Sequence, residues 1–299
     1  MNGRLVPWAD SAIHISTEAV LRGASVFEGI RAYRSEDNGL LLFRLDDHMR
    51  RLYDTSMRFT RMRIAYTAEE LAEGIATLLE ANGVANDAHI RVVAYFDELR
   101  LGRELEAEAG AFILVNESPV AKGRTMRVTL SPWRRLNDLS MSPRVKAGGN
   151  YLNSRIATTD ALSKGFNSAV MLNDRGKVSE GPAMNIFLVR DGNLITPRVT
   201  DGILEGITRA TVLDLAGQHG IPVQEREVDP TELFVAEEMF FCGTAYEVAP
   251  IVEIDGYTVG DGEPGPVTTR IRDTYFELAR GTKPAPKGWV TPVRDLVTR

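Results

Sequence analysis

A lysine followed closely by two glycines, Lys146, Gly148 and Gly149, is the first place where the sequence suggests chemistry. Glycine lacks a Cβ atom, so the backbone there can pass close to another group. A lysine held in such a packed position loses hydration, which favours the uncharged amine that attacks a carbonyl to form a Schiff base. Most lysines are solvated surface charges, so this stretch needs support from residues further along the chain.

Complementary groups occur at three later points. Glu180 lies between small residues at the start of an apolar strand, where a carboxylate is costly unless a cation meets it. The stretch 202–209 leads into a helix predicted to begin at Thr208, and the first amides of a helix are unpaired and favour a phosphate. Thr244 ends a strand and offers a hydroxyl. An amine, an anion for a pyridinium and phosphate donors are the parts that pyridoxal phosphate requires.

Simpler interpretations of these residues remain open. Lys146 can be a surface lysine, Glu180 a solvated turn residue, Thr208 an ordinary helix cap and Thr244 a satisfied hydroxyl at a strand end. The four stretches gain weight only because their chemistries fit one cofactor.

Helices and strands are predicted to alternate irregularly along the chain, which favours an α+β fold over a βαβ array. Periodicity and capping signals predict the long helices, at 67–82, 151–164, 208–219 and 266–280. Hairpin signals and apolar runs predict the strands, at 1–6, 10–15, 22–33, 40–43, 89–95, 111–115, 126–130, 168–172, 185–190, 194–196, 223–228, 238–242 and 247–254.

Composition restricts the function further. The chain has 299 residues and one cysteine, Cys242, which excludes an intrachain disulfide and a cysteine zinc cluster. Its net charge of −6 argues against a basic surface for nucleic-acid binding. No metal site is predicted. The absence of a signal pattern or a long apolar run predicts a cytoplasmic protein without a membrane partner. A polar stretch, 116–123, is predicted to link a small domain, 1–115, to a large domain, 124–299.

The sequence resembles the fold type IV pyridoxal-phosphate transaminases over nearly its whole length, and most closely the branched-chain amino-acid aminotransferases. The motifs that carry the likeness are, in order, residues 25–31, 48–52, 146–151, 180–187, 204–209 and 243–245. The resemblance implies an α+β fold with a small α/β domain and a larger barrel-like α/β domain. It also implies a homodimer or a higher homo-oligomer, because a loop of the neighbouring subunit completes the active site in this family.

The resemblance also implies roles for individual residues. Lys146 would be the imine lysine and proton shuttle, and Glu180 would face the pyridine nitrogen of the cofactor. The other cofactor-binding residues would be Arg51, Ile207, Thr208 and Thr244 at the phosphate, Tyr151 at the ring hydroxyl and Leu204 on the ring face.

The predicted substrate pocket departs from the branched-chain pattern. Arg22 stands where these enzymes usually have a tyrosine, and His89 stands where an aromatic residue is common. His89 and Arg91 would point to one face of a strand, so Arg22 and Arg91 are candidates to bind substrate carboxylates, with Arg100 and Arg103 as rivals. The remaining residues predicted for this pocket are Phe27, Gly29, Arg31, Thr244 and Ala245.

The resemblance predicts an aminotransferase that moves an amino group between an amino acid, of branched-chain type, and a 2-oxo acid. The paired arginines resemble some D-amino-acid transaminases, so a D-amino-acid or (R)-amine transaminase of the same fold is an alternative. A pyridoxal-phosphate lyase such as aminodeoxychorismate lyase is another. Two simpler interpretations also remain open: Arg22 can be a surface charge, and His89 can be a packed strand residue. The handedness of the substrate depends on geometry that the sequence does not give.

Overall fold

The structure, a computed structural model, describes residues 1–97, 107–119 and 124–297. The chain forms two compact units: unit 1 contains Met1–Val120, Val145–Gly149 and Glu277–Arg299, and unit 2 contains Ala121–Arg144 and Asn150–Phe276. Arg100, Arg103 and residues 120–123 of the predicted link lie outside the described residues. The predicted domain bounds of 1–115, 116–123 and 124–299 stay a prediction.

The elements of the described residues are numbered along the chain. The strands are β1 (Ser25–Ser35), β2 (Gly39–Phe43), β3 (Met62–Arg63), β4 (Ala88–Phe96), β5 (Ala107–Glu117), β6 (Met126–Leu130), β7 (Ser168–Val170), β8 (Asn185–Arg190), β9 (Asn193–Thr196), β10 (Val223–Glu225), β11 (Glu238–Gly243), β12 (Glu247–Ile254), β13 (Tyr257–Thr258) and β14 (Val290–Pro292). The helices are α1 (Glu18–Arg22), α2 (Leu45–Arg50), α3 (Arg58–Thr60), α4 (Ala68–Ala81), α5 (Asn150–Ser163), α6 (Ile207–Gln218), α7 (Pro266–Ala279) and α8 (Arg294–Val297). A π-helical turn spans Arg51–Met57, and 3₁₀ turns span Trp8–Asp10, Val199–Asp201 and Pro230–Val235.

This mixture confirms the predicted α+β class, and α4, α5, α6 and α7 confirm the four long predicted helices to within a residue or so at each end. The strands predicted at 1–6 and 10–15 are wrong, because neither segment is a strand in the structure. Leu5 in the first segment and Ile15 in the second stay 59% and 78% exposed, so no buried face fixes a strand register there. None of the helices in the described part of the chain has the length and apolarity that crossing a bilayer would require.

In unit 1 the strands form one sheet in the order β14-β2-β1-β4-β5-β3. Helix α4 starts with a capping box at Thr67 and buries Leu71, Ile75 and Leu79, which are spaced one turn apart. These side chains form a core with the β1 residues Val26 and Ile30. The alternate residues of β1 face the opposite side of the sheet, and they include three predicted substrate residues, Phe27, Gly29 and Arg31.

In unit 2 the main sheet has the order β10-β9-β8-β11-β12-β6-β7, with β13 paired to β12. Its core contains stacked rings of Phe187 and Phe240, whose centroids are 5.1 Å apart. The first residue of β8, Asn185, pairs with Cys242 near the end of the antiparallel strand β11. The segment before β8 and the bend after β11 therefore meet at the same end of the sheet.

Candidate active site

Lys146 is held in unit 1 by a short segment, Val145–Gly149, that we call the lysine strap. The strap runs antiparallel along β1: the Phe27 amide donates to the Lys146 carbonyl at 3.0 Å, and the Gly148 amide donates to the Ser25 carbonyl at 2.8 Å. Strand β2 pairs with β1 only from residue 32 onward, so the strap occupies the edge of β1 that β2 does not cover. The backbone of Lys146 is therefore fixed by sheet hydrogen bonds.

Two further features mark the strap. A Cβ atom at Gly148 would overlap the Ser25 hydroxyl, so a larger residue there would require the Ser25 side chain to move. The Lys146 amide donates to the Ser56 hydroxyl at 3.2 Å. Ser56 belongs to the π-helical turn that begins with Arg51, and such turns are frequent at functional sites.

The side chains of three predicted residues meet on one face of this sheet. The Lys146 Nζ atom lies 5.0 Å from the centroid of the Phe27 ring, and the Arg91 guanidinium lies 5.1 Å from the same centroid. Each cation is within the range in which an aromatic face attracts positive charge. Phe27 thus presents an apolar surface with an amine and a guanidinium beside it.

Gly29, Arg31 and His89 lie on the same face, because β1 and β4 pair Gly29 with Arg91 and Arg31 with His89. A Cβ atom at Gly29 would stand 2.9 Å from His89 Nε2, so the glycine makes room for the imidazole. Burial lowers the pKa of His89 to about 4, with help from the neighbouring positive charges of Arg91, Arg31 and Lys146. His89 is therefore neutral at pH 7.

Two other predicted arginines, Arg31 and Arg22, have hydrogen-bond partners of their own in the structure. Arg31 is buried, donates to the Ser118 carbonyl at 2.8 Å and lies 5.5 Å from the Tyr33 ring centroid. Arg22, at the end of α1, is half exposed and donates to Glu18 at 2.8 Å. Their substrate roles stay predictions.

A buried cluster behind β1 was missed by the sequence reasoning. Glu28 is fully buried and accepts from Arg51 Nε at 2.7 Å, from Arg51 Nη2 at 2.8 Å and from His48 Nδ1 at 2.7 Å. Burial alone would raise the pKa of Glu28, but the Arg51 guanidinium and the His48 hydrogen bond lower it to about 2. The signal available in the sequence was a glutamate within an apolar strand, together with His48 and Arg51 at helical i, i+3 spacing.

His48 in this cluster is a neutral hydrogen-bond donor. Burial lowers its pKa, and the positive charges of Arg51 and Lys146 add to that effect, while Glu28 opposes it. Because the ionised Glu28 carboxylate can only accept, the hydrogen of the neutral imidazole must be on Nδ1.

In unit 2, Glu180 is 3% exposed, which excludes a solvated turn residue. Its Oε1 atom accepts from Arg135 Nε and from Arg135 Nη2, both at 2.7 Å, and from the Leu204 amide at 3.2 Å. Its Oε2 atom accepts from Asn185 Nδ2 at 2.9 Å. Arg135 is the cation that the buried carboxylate needed, and sequence reasoning missed it because it lies 45 positions earlier.

The predicted phosphate groups of unit 2 lie on α6 and on the bend after β11. Gly206 caps α6 without a side-chain hydrogen bond, so Thr208, the second helical residue, is not an ordinary helix cap. A Cβ atom at Gly206 would overlap the Asn185 amide, so this helix start needs glycine. Thr244 follows β11 and is half-buried, and Ala245 is exposed.

The remaining cofactor candidates are also in unit 2. Tyr151 is half-buried in the first turn of α5, and Leu204 is half-buried just before α6. The Leu204 carbonyl accepts from Asn185 Nδ2 at 3.0 Å, so one amide side chain ties Leu204 to Glu180.

These donor sets fit the parts of pyridoxal phosphate. Unit 1, taken by itself, contains the Lys146 amine and the Arg51 guanidinium, and unit 2, taken by itself, contains the buried Glu180 carboxylate and the helix start at Ile207 and Thr208. An imine-forming amine, an anion for the ring nitrogen and phosphate donors are the three requirements of this cofactor. Among the described residues, no group of three or more His, Cys, Asp or Glu side chains could hold a metal ion.

Comparison with known proteins identifies a family. A family model described as amino-transferase class IV matches residues 25–254, which include Lys146 and Glu180. A probable branched-chain-amino-acid aminotransferase of Aquifex aeolicus is 38% identical over 298 residues, covering 98% of this chain and 96% of that protein.

Solved structures agree with this match. The branched-chain aminotransferase of Thermoproteus uzoniensis with norvaline has a TM-score of 0.92 at 40% identity, covering 98% of this chain and 97% of that one. The T.th. branched-chain amino acid aminotransferase complexed with N-(5'-phosphopyridoxyl)-L-glutamate has a TM-score of 0.91 at 35% identity and the same coverage.

Proposed function

The chain belongs to the class IV aminotransferases, and from that premise we propose that it moves the amino group of a branched-chain amino acid to a 2-oxo acid, with pyridoxal phosphate as cofactor. The observation that carries the proposal is the likeness to branched-chain aminotransferases over 98% of the chain. The chain also carries the amine and the carboxylate that the reaction needs, on Lys146 and Glu180.

When bound, pyridoxal phosphate supplies a ring that accepts the electrons left behind when the substrate Cα loses its proton. Lys146 Nζ would take that proton as general base and would return a proton later as general acid. Glu180, which Arg135 and Asn185 hold in place, would be the anion that pairs with the pyridine nitrogen of the bound cofactor. Electrostatic support from a buried, hydrogen-bonded carboxylate is stronger than it would be in water.

The phosphate and ring contacts follow the family pattern. Arg51 offers charge and a planar fork, and the amides at the start of α6 offer dipoles and donors. The proposed contacts are Arg51, Ile207, Thr208 and Thr244 with the phosphate, Tyr151 with the ring hydroxyl and Leu204 with the ring face.

Substrate selection is proposed for the face of β1 and β4 in unit 1. Phe27 provides an apolar surface for a branched side chain, and Arg91, 5.1 Å from its ring centroid, provides a charge for the second carboxylate of glutamate or its 2-oxo acid. Because His89 is neutral, it adds no positive charge to those of Arg91, Arg31 and Lys146. The glutamate adduct in the T.th. structure supports an acidic second substrate.

A D-amino-acid transaminase of the same fold is the second candidate. The observation that favours it is the cationic surround of Phe27, where Lys146 and Arg91 both approach the ring, together with Arg22 in place of a tyrosine. A carboxylate drawn to a different arginine would present the opposite face of Cα to Lys146.

We also propose a homodimer or higher homo-oligomer. Helix α5 buries the small residues Ser154, Ala157 and Ala161, while Leu152 and Ile156 are 64% and 39% exposed. An apolar outer face on a helix with a small inner face supports contact with another subunit. Light scattering on the purified protein tests this proposal, and the cytoplasmic location stays a prediction from the sequence.

A donor screen tests the function. Protein loaded with pyridoxal phosphate is mixed with L-leucine, L-glutamate or D-alanine without an acceptor, and the absorbance of the bound cofactor is followed. We expect L-leucine and L-glutamate to convert the cofactor and D-alanine to leave it unchanged. Faster conversion by D-alanine would favour the second candidate, and repeated release of pyruvate from aminodeoxychorismate without any amino acceptor would indicate a lyase.

Lys146→Ala is the negative control for this screen, since it should lose the borohydride-trapped adduct together with activity. The matched control is Lys164→Ala, because Lys164 is exposed and pairs with Asp160 on α5. A Lys146→Ala protein of undiminished activity would refute the proposed mechanism.

A further inference from the structure

We propose that Glu28 is a positioning residue, which acts with His48 to hold the Arg51 guanidinium in the orientation that receives the cofactor phosphate. This inference rests on the proposed function, because it assigns Arg51 to the phosphate. Neither Glu28 nor His48 contacts the phosphate in the proposal; both act through Arg51.

Hydrogen-bond geometry is the first support. Arg51 Nε and Nη2 reach the two different oxygens of Glu28, at 2.7 and 2.8 Å, which is the bidentate fork contact. Such a contact fixes the plane of the guanidinium and thus the direction of its outer N–H groups. An arginine without it would sample many rotamers, and ordering it on binding would cost affinity.

His48 fixes Glu28 in turn. Its Nδ1 atom donates to Glu28 Oε2 at 2.7 Å, and both side chains are nearly fully buried. Because His48 is neutral, it orients the carboxylate without cancelling the charge that attracts Arg51. The order of support is therefore His48 to Glu28 to Arg51.

The location of Arg51 gives the cluster a second connection. Arg51 is the first residue of the π-helical turn, and Ser56 in that turn accepts the hydrogen bond from the Lys146 amide. The turn therefore carries the proposed phosphate ligand and one anchor of the lysine strap.

Charge alone predicts the opposite result from positioning. Glu28 is an anion beside Arg51, so Glu28→Gln should tighten phosphate binding if only the local charge mattered. If Glu28 acts by orientation, the same change weakens binding, since a neutral amide cannot accept a bidentate, charge-assisted fork. The sign of the change in affinity decides between the two.

The experiment titrates the apoprotein with pyridoxal phosphate and with pyridoxal, which has no phosphate, and follows the absorbance of the bound aldehyde. We expect Glu28→Gln to raise the Kd for pyridoxal phosphate about tenfold or more, the value of losing a hydrogen bond to a charged group. The Kd for pyridoxal should stay within about twofold, because the effect passes through the phosphate ligand.

A double-mutant cycle tests the route. Arg51→Gln should weaken binding of pyridoxal phosphate, and Glu28→Gln added to it should weaken binding no further, since a positioning residue has nothing left to position. Independent losses in the double variant would overturn the proposal. So would unchanged or tighter binding of pyridoxal phosphate by Glu28→Gln, or an equal loss of pyridoxal and pyridoxal phosphate.

The matched control is Asp87→Asn. Asp87 is also a buried carboxylate of unit 1 with a two-point contact to an arginine, Arg280, at 2.5 and 3.1 Å. This variant should lower the unfolding temperature as Glu28→Gln does, yet keep the wild-type Kd for pyridoxal phosphate. An equal rise in Kd for Asp87→Asn would show that Glu28→Gln reports only general damage to unit 1.

Glu28→Asp is the second variant, in case the glutamine variant does not fold. It keeps the charge but withdraws the carboxylate by one methylene, so we expect a Kd between those of the wild type and Arg51→Gln. A wild-type protein that binds no pyridoxal phosphate would overturn the proposed function itself. Wild-type binding that none of the Glu28 variants changes would overturn only the positioning role.

Discussion

Units 1 and 2 each bury an arginine–glutamate pair, and in the proposed roles the pairs have opposite polarity. In unit 1 the arginine, Arg51, is the proposed ligand contact and Glu28 is its buried partner. In unit 2 the glutamate, Glu180, is the proposed ligand contact and Arg135 is its buried partner. One cofactor has an anionic phosphate and a cationic ring nitrogen, so it needs one cation and one anion, each with a buried counter-charge.

The two pairs also differ in how their remaining hydrogen bonds are filled. Glu28 receives its third hydrogen bond from a neutral imidazole, His48. Glu180 accepts one hydrogen bond from the backbone amide of Leu204 and one from the side-chain amide of Asn185. A buried carboxylate is tolerated only when its oxygens are saturated, and both units meet this condition with groups that carry no further charge.

The largest effect on stability should come from replacing Arg135, the residue that supports Glu180 in unit 2. Arg135→Met leaves Glu180 buried without its counter-charge, so we expect the free energy of unfolding to fall by about 3–5 kcal/mol. Denaturant titration of the protein measures this. The double variant Arg135→Met/Glu180→Gln should recover much of the loss, since it removes the unpaired charge.

An exposed pair provides the control for Arg135→Met. Arg127 contacts Glu253 through two hydrogen bonds at the surface of unit 2. Arg127→Met should leave the free energy of unfolding nearly unchanged, since solvent screens such pairs. Equal losses for the two arginine variants would mean that burial does not distinguish them.

The second prediction separates what each pair does. Glu180→Gln should lower kcat about 100-fold, because an amide cannot keep the ring nitrogen protonated, a contribution of the size usual for proton-transfer support. Arg51→Lys should instead raise the Kd for pyridoxal phosphate about tenfold, since an ammonium cannot replace the planar fork. Cofactor titrations and half-reactions with L-leucine measure the two constants.

The loss of kcat in Glu180→Gln and the loss of cofactor affinity in Arg51→Lys together test whether the two pairs present opposite charges to the cofactor. If Glu180→Gln changed mainly cofactor affinity, or Arg51→Lys changed mainly kcat at saturating cofactor, the assignment of the two pairs would be wrong. The Asp87→Asn variant again serves as the control, because its pair with Arg280 is buried in unit 1 but has no proposed contact with the cofactor.

Sequence motifs named Arg51 and Glu180 as candidate ligand contacts, but they did not show which residues would pair with them. Arg51, Glu180 and Lys146 lie in short motifs whose local pattern is informative. Arg135 is 45 positions from Glu180, and Glu28 is 23 from Arg51, so each pairing depends on the tertiary fold. Local sequence propensities do not show which buried charged side chains will pair.

The fold shows the same limit. Long helices such as α4 were predictable because capping and periodicity are local signals. The lysine strap belongs to unit 1 although it follows Arg144 of unit 2 in the chain, because its hydrogen bonds are made with β1 more than 100 positions earlier. Boundaries drawn from composition cannot detect such a return of the chain.

A more gradual effect is expected in acid, where the histidines of unit 1 rather than Glu28 should set the response. A group whose pKa is lowered on folding stabilises the protein above its unfolded pKa and loses that contribution as pH falls. For Glu28 the window runs from 4.5 down to about 2, so its pair persists in mild acid. For His89 the window runs from 6.5 down to about 4, and the pKa of His48 shifts in the same direction.

The free energy of unfolding should therefore begin to fall below pH 6.5, with a slope of at most about 1.4 kcal/mol per pH unit for each histidine. His89→Asn should flatten that slope between pH 6.5 and 4, because the unfolded state then gains one proton fewer. His14→Asn, a change at an exposed histidine, is measured in parallel as the matched variant. Denaturant titrations at intervals across this range measure it, and a slope that survives His89→Asn undiminished would assign the acid response to His48 or to the carboxylates instead.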